Sequence, residues 1–429
     1  MRKTFLSELR DKVGKEVTLA GWVHRLRTLS TTTFVILRDA SGLAQCVAPP
    51  DALEGHHVKA DDAVEITGTV REDARSKFGV EVDISSLTVL NPAANDLPFH
   101  PAGDLAAVGQ EVILSHRPLS LRNDRVGSIF RVQAALLESF RSILRASRFT
   151  EIVTWKIVGG GTEGGANLFR IDYFDRVAYL AQSPQFFKEH GVAGLERVFE
   201  TAHVYRAEPH ATTRHLTEYY SLDLEMGFID GPEDVIAVER DLLTTAFEDL
   251  SSKHADLLKP FQGKPLPALT NAPTWEFAEC LARLAKAHKR TDLVDDLDPE
   301  AERQLCALAE KEAGVPAVFV LGFPLANRPF YTHPRGAFGA AQSFDLLFRG
   351  LEITTGGQRL HTRAGLEAAL RSRGQDPASF ADHLRMFDLG MPPHGGLAIG
   401  LERLTAQVLG LANIREATLY PRDRQHLSP

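Results

Sequence analysis

Hydrophobic and polar positions alternate with a period of two over five short stretches near the start of the chain: 17–24, 33–39, 43–47, 63–71 and 79–90. A period of two is the spacing of a half-buried strand, so these stretches predict a small five-stranded barrel. Turn signals such as Asp39-Ala40-Ser41-Gly42 and the Asp61-Asp62 pair separate them. From Arg125 the period changes. Ile129, Val132, Leu136, Phe140 and Ile143 recur at steps of three and four, predicting a helix that ends near Arg148, with a strand at 151–158 after it. Residues 198–228 read as two antiparallel strands around a polar loop at 209–213. Leu222, Leu224 and Met226 share one face of the second strand, and Asp223 and Glu225 share the other. Gly231-Pro232-Glu233-Asp234 signals the start of an amphipathic helix through Leu250. Residues 343–361 are strand-rich, and 390–409 read as loop, strand and helix, with Leu401, Leu404 and Val408 as the buried stripe.

Three segments follow from this pattern. Residues 1–90 form the barrel, which five strands in that length make an OB-fold, a shape whose open face suits single-stranded nucleic acid. Residues 91–123, punctuated by Pro92, Pro98, Pro101 and Pro118, predict a semi-rigid linker. Residues 124–429 form the larger domain, an antiparallel sheet with helices, in which 255–340 is expected to be a helical insertion. The fold class is therefore α+β.

Composition narrows the function. Of 429 residues, 44% are hydrophobic and 24% charged, and the net charge of −8 argues against a general polyanion binder. Any nucleic-acid contact has to come from a local patch. The first thirty residues supply one, with Arg25 and Arg27 close after Trp22 and Phe34 opening the next strand. Trp22 is expected in the core; Phe34 is open between core packing and base stacking. No apolar run approaches about 18 residues and the first fifteen lack an apolar stretch, so neither a membrane span nor a signal peptide is expected. Cys46, Cys280 and Cys306 stand far apart, which disfavours a cysteine zinc site and suits a reducing cytoplasm.

The candidate chemistry lies in the larger domain. The 198–228 hairpin carries Arg206, Glu208, Arg214, His215, Asp223 and Glu225, either as a solvated face or as a floor for a substrate bearing phosphate and amine. Five glycines around Glu163 at 159–165 lack a P-loop ending and read as a mobile lid or a surface turn. Gln182, Gln185 and Lys188 fall at three-residue steps, with Pro184 placed to start a helix. Asp345 and Glu352 are oxygen donors of the kind that hold Mg²⁺ on phosphates. Gly395, Gly396 and Gly400 allow close approach to a flat ligand, over which Arg403 can lie as a planar cation.

In this order the motifs resemble those of class II aminoacyl-tRNA synthetases, and within them the archaeal-type aspartyl-tRNA synthetases, over nearly the whole chain. The carrying residues are Tyr205-Arg206-Ala207-Glu208, Arg214-His215, Gly400-Leu401-Glu402-Arg403, Gln182 to Lys188, Gly356 to Arg359 and Glu163-Gly164-Gly165. The resemblance implies a homodimer with an OB-fold anticodon domain that uses ATP and Mg²⁺ to join L-aspartate to tRNA-Asp. It further implies catalytic roles for Arg206, Glu208 and Arg403. ATP would be bound by Arg206, Glu208, Arg214, His215, Glu352 and Arg403, and the metal held by Asp345, Glu352 and Thr355. Lys188 and Arg359 would take the aspartate side chain, while Glu163, Gln185 and Asp223 would take its ammonium. In the barrel it assigns His24, Arg25, Arg27, Phe34, Gln45 and Glu81 to the anticodon. A histidine at position 24 resembles the non-discriminating enzymes, which also charge tRNA-Asn and supply an amidotransferase. Trp155 stands where the family has a proline at the dimer interface, Pro209 replaces an acidic residue, and Ser30 to Thr32 replace a Gly/Asp-rich turn. An asparaginyl enzyme and a non-catalytic paralogue that has kept the fold are the rival readings.

Overall fold

The computed structural model describes residues 3–49, 57–162, 167–208, 212–261, 263–336, 339–424 and 426–427. Contacts divide the chain into two units, Met1–Asp124 and Arg125–Pro429.

In the first unit, strands β1 (Glu16–Thr28), β2 (Thr33–Arg38), β3 (Leu43–Ala48), β4 (Ala63–Glu72) and β5 (Val80–Asn91) close a barrel in the order β1-β2-β3-β5-β4. Their inward residues, among them Leu19, Val23, Val35, Leu37, Cys46, Ile66 and Val82, form one core. Trp22 is not part of it. It is out of phase with Leu19 and Val23, and the guanidinium groups of Arg38 and Arg122 lie over its ring, at 4.9 and 4.8 Å from its centroid. Two cations over the ring hold the indole on the barrel's outer side, where the expectation had it inside. The 91–123 stretch also departs from a plain linker. It contains the short helices Gln110–Ser115 and Arg117–Ser120, and Ala93 N–H donates to Asp62 Oδ1 at 2.7 Å.

In the second unit, eight strands form one sheet. In chain order they are β6 (Thr150–Glu151), β7 (Arg197–Tyr205), β8 (Glu218–Gly227), β9 (Thr274–Glu276), β10 (Ala317–Leu321), β11 (Ser343–Phe348), β12 (Leu351–Gln358) and β13 (His394–Gly400). They lie side by side as β9-β10-β11-β12-β13-β8-β7-β6, antiparallel except at the two outer pairs. Helices α1 (Asp124–Ala146), α2 (Gln185–Leu195), α3 (Pro232–Lys253), α4 (Phe277–His288), α5 (Pro299–Ala313), α6 (Ala381–Met386) and α7 (Leu401–Leu409) belong to this unit, which also holds helices Ala255–Leu258 and Arg363–Ser372, a three-stranded sheet and a two-stranded sheet. The segment expected as a helical insertion thus also contributes β9 and β10 to the sheet edge. Strands too short to show a clear period, with prolines nearby, read there as loop.

The two faces of the sheet differ: one is packed into a core, the other is polar and partly open. Phe199, Leu222, Leu224, Phe344, Leu397 and Ile399 share one core with Ile129, Val132 and Leu136 of α1, Leu243 and Phe247 of α3, and Leu404 of α7. On the other face the register lines up Glu200, Asp223, Ala398, Thr355 and Asp345 across five strands. No helix of the described residues is long and apolar enough to cross a membrane.

Gly356 sits directly opposite Phe344. A Cβ at Gly356 would stand 2.5 Å from Phe344 Cζ, so the glycine makes room for the ring. Gly356→Ala is expected to cost about 1–3 kcal/mol in urea denaturation. Combined with Phe344→Leu it should cost at least about 1 kcal/mol less than the sum of the two single changes. Additive losses would show that ring and glycine do not share this space.

Candidate active site

The polar face of the sheet opens into a cavity of about 320 Å³. Its lining includes six cationic side chains, Lys188, Arg206, Arg214, Arg328, Arg359 and Arg403, against the carboxylates Glu208, Glu352 and Glu402. Asp223, Glu225, Glu302 and Asp345 behind the lining pair with four of these cations, so the site offers fixed, balanced charges whose N–H groups can meet phosphate and carboxylate oxygens.

At the floor lies a buried tetrad. Lys188 Nζ is 2.9 Å from Asp223 Oδ1 and 3.4 Å from Glu225 Oε2. Arg359 Nε donates to Glu225 Oε1 at 2.9 Å. All four side chains are at most 8% exposed, and their formal charges cancel. Asp223 also accepts from Ser221 Oγ at 2.5 Å. The cations reach the backbone too: Lys188 donates to the Leu397 carbonyl at 3.2 Å and Arg359 to that of Gly396 at 3.0 Å. Burial pushes the Glu225 carboxyl up, but Arg359 and Lys188 outweigh it and hold the group below its ordinary value. Burial likewise works against the Arg359 charge, which Glu225 more than restores.

Local sequence explains this placement. Pro184 caps α2 with a fixed backbone, so Gln185 and Lys188 sit one turn apart on the helix side that meets the sheet. Gln182 precedes the helix and still lines the cavity. The alternation of β8 sends Leu222 and Leu224 into the core and Asp223 and Glu225 the other way, where they lie buried beneath Lys188 and Arg359 and do not themselves line the cavity. Gly396 is required by this floor. A Cβ there would lie 2.1 Å from the Leu224 carbonyl oxygen and 2.3 Å from Glu225 Oε2. Gly395 is similarly hemmed in, 2.6 Å from the Gly357 carbonyl. Both glycines serve the packing of strands and carboxylate, where the sequence suggested approach of a flat ligand.

Towards the other end, Arg206 lies 4.0 Å from Glu208 and faces the Tyr219 ring at 5.7 Å. His215 Nδ1 hydrogen-bonds Thr212 Oγ1 at 2.6 Å. Arg214 pairs with Glu302, which also accepts from the Glu352 backbone N–H at 3.1 Å. Arg403, in the first turn of α7, donates to the Glu352 carbonyl at 3.1 Å. Glu402 accepts the Tyr220 N–H on both oxygens at 3.1 Å, and burial lifts its pKa to about 7.

Two expectations meet a different arrangement. Asp345 is gripped by Arg328 through two hydrogen bonds, at 3.0 and 2.7 Å, and does not appear in the cavity lining. Burial nevertheless raises its pKa to about 6. Glu352 and Thr355 do line the cavity, with Thr355 Oγ1 donating to Glu352 at 3.2 Å. Among the described residues no set of three His, Cys, Asp or Glu side chains is grouped to hold a metal. Glu163, read above as part of a lid or a surface turn, and Pro209 lie outside the described residues. Arg328 and Glu302 carry no local signal: they stand seventeen and eighty-eight residues from their partners Asp345 and Arg214.

On the barrel, Arg25, Ile36, Gln45, Glu81 and Arg71 stand opposite one another across four strands and β1, forming one continuous row. Arg27 pairs with Phe34 beside it, so both arginines and the half-buried ring share the outer face. Glu81, expected to meet a base, is only 4% exposed, with Arg71 Nη2 at 2.8 Å and the Gln45 amide donating to it. In this position it holds the Gln45 amide. Burial, then Arg25 and Arg38, hold the His24 imidazole below its ordinary pKa.

Residues 109–424 match the family profile described as "tRNA synthetases class II (D, K and N)", and residues 17–90 match "OB-fold nucleic acid binding domain". The chain is 41% identical to an aspartate–tRNA(Asp/Asn) ligase of Thermus thermophilus, with all of both chains covered. It is 38% identical to an aspartate–tRNA(Asp) ligase of Pyrobaculum aerophilum, covering 97% of this chain and 96% of that one. Among solved structures, asparaginyl-tRNA synthetase from Pyrococcus horikoshii complexed with asparaginyl-adenylate superposes with a TM-score of 0.92 at 28% identity, over all of both chains.

Arg328→Ala leaves the Asp345 carboxyl buried with its cation gone. Unfolding free energy at pH 7 is expected to fall by about 3–5 kcal/mol, as for breaking one side of a buried pair. A loss under about 1 kcal/mol in chemical denaturation would place Asp345 in water instead.

Proposed function

Because the chain belongs to the class II tRNA synthetases of the D, K and N group, we propose that it uses ATP to attach L-aspartate to tRNA through an aspartyl-adenylate. The observation that carries this reading is the presence of Lys188 and Arg359 in the same cavity as Arg206 and Arg403. A side-chain carboxylate entering there meets two cations that are already desolvated and fixed, with Arg359 able to bind it through two N–H groups. Gln185 and Asp223 take the substrate ammonium. Arg206 lies on the α-phosphate, Arg214 and His215 near the outer phosphates, and Arg403 over the adenine. Glu208 orients Arg206. Mg²⁺ suits the oxygen donors Glu352 and Thr355, with Asp345 behind them, and when bound neutralises phosphate charge.

The first step needs no general base. The aspartate α-carboxylate attacks the α-phosphorus and pyrophosphate leaves; the arginines supply position and charge neutralisation. A terminal ribose hydroxyl of tRNA, the 3′-OH in this class, then attacks the acyl carbon and AMP leaves. In the barrel, Phe34 stacks on the central anticodon base, Gln45 hydrogen-bonds it, and Arg25 and Arg27 neutralise the backbone. His24 and the Asp/Asn naming of relatives such as the Thermus ligase support tRNA-Asn as a second acceptor, its product passing to an amidotransferase. Val153 and Trp155 are 90% and 79% exposed, which supports a homodimer through that face. Three buried free cysteines suit a cytoplasmic enzyme.

The likeness to an asparaginyl enzyme favours a second reading, against which stands the Lys188 charge. Pyrophosphate exchange separates them. Aspartate should be preferred over asparagine by at least about 100-fold in kcat/KM, and equal rates would overturn the proposal. Lys188→Ala or Arg359→Ala should each cost at least about 2–3 kcal/mol in aspartate kcat/KM. Transcripts of tRNA-Asn should be aspartylated well above background; a background rate would restrict the enzyme to tRNA-Asp.

A further inference from the structure

Behind the substrate pocket, α2 meets α6 through a chain of buried polar groups that the proposed reaction does not use. Gln185 Nε2 donates to Glu189 Oε1 at 2.6 Å. The other oxygen of Glu189 faces His383 Nε2 at 3.5 Å, and neither atom has another hydrogen-bond partner among the described residues. His383 Nδ1 hydrogen-bonds His190 Nε2 at 2.9 Å. Glu189 is 0% and His383 5% exposed, and the His383 ring stacks on Phe186 with centroids 3.9 Å apart.

With the His383 hydrogen on Nδ1, its Nε2 and Glu189 Oε2 are both buried acceptors, and one proton placed between them satisfies the pair. An ion pair would add two charges next to a set already balanced, the tetrad of Lys188, Asp223, Glu225 and Arg359. A carboxylic acid facing a neutral imidazole adds none. The groups around the pair favour the neutral form. Burial and then the nearby Glu225 carboxylate push Glu189 up to about 8, against weaker opposing effects of Gln185, Arg359 and Lys188. Burial, then His190 and His394, push His383 down to about 3.

Resting on the aspartate reading above, we infer that Glu189 is a positioning residue: as a neutral acid it donates Oε2–H to His383 and accepts from Gln185 through Oε1, which locks the Gln185 amide with its carbonyl end free for the substrate ammonium. His383 then carries its proton on Nδ1 and donates it to His190. Loss of the Glu189 proton does two things. It removes the donor to His383, and it places a new anion beside Lys188 and Arg359 that competes with the substrate side chain. The effect belongs to aspartate binding, not to ATP or to the chemical step.

The test is pyrophosphate exchange from pH 6.5 to 9.5 with aspartate varied and ATP saturating. In the unaltered enzyme the aspartate KM should climb above about pH 8 by up to about tenfold per pH unit, with kcat and the ATP KM nearly level. Glu189→Gln keeps an acceptor for Gln185 and a donor for His383 without a titrating proton. It should match the unaltered KM at pH 7 and remove the part of the alkaline rise not due to the aspartate amine itself. Glu189→Leu should raise the aspartate KM at least about tenfold at pH 7 while sparing the ATP KM. The same alkaline rise in Glu189→Gln, or an unchanged aspartate KM in folded Glu189→Leu, would overturn the inference. Absence of aspartate-driven exchange in the unaltered enzyme would overturn the functional reading on which it rests.

Discussion

Two cations and two carboxylates closed off from water at the centre of the sheet constrain the rest of the larger unit. Ions in such a place are tolerated only when each one's partners are fixed and complete, because an unmatched buried charge costs several kcal/mol. Lys188 comes from α2, Asp223 and Glu225 from β8, and Arg359 follows β12, while β13 between them accepts through its backbone carbonyls. A one-residue slip of β8 would turn both acids into the hydrocarbon core and bring Leu224 into the cavity. The tetrad therefore sets strand register and pocket charge together. A pocket built from fixed ions can also bind a charged substrate without large reorganisation, since the cations are already held in place.

The same device recurs on the barrel at smaller scale. Glu81 is buried beneath Arg71 and accepts from the Gln45 amide, so Gln45 is held by an anion that itself stays out of the way. In the pocket, Glu189 stands to Gln185 as Glu81 stands to Gln45, one as an acid and one beside an arginine. An amide can point either way with nearly equal ease, and a fixed neighbour removes that ambiguity.

Much of the fold was legible because it obeys short periods. The five barrel strands, the α1 stripe and the β7–β8 hairpin each repeat a local pattern that needs no distant partner. Several errors come from the opposite situation. Trp22 reads as core by composition, yet its phase relative to Leu19 and Val23 puts it outside, where the guanidinium groups of Arg38 and Arg122 lie over its ring. Asp345 reads as a metal acid by type, but Arg328, seventeen residues earlier, already holds it. Strand β9 is too short, and β10 too evenly apolar, to be told from loop and helix.

The sequence by itself determined most of the elements, the polar face of β8, the run of motifs and hence the family, since each of these is written in neighbouring residues through backbone periodicity and steric rules. Which charge meets which was decided only by the tertiary structure. Lys188 finds Asp223, Arg214 finds Glu302 and Glu189 finds His383 across gaps that no local spacing encodes. The physical reason is that Coulomb and hydrogen-bond energies depend on distance in space and on exclusion of water, and both exist only once the sheet and its helices have closed around these side chains.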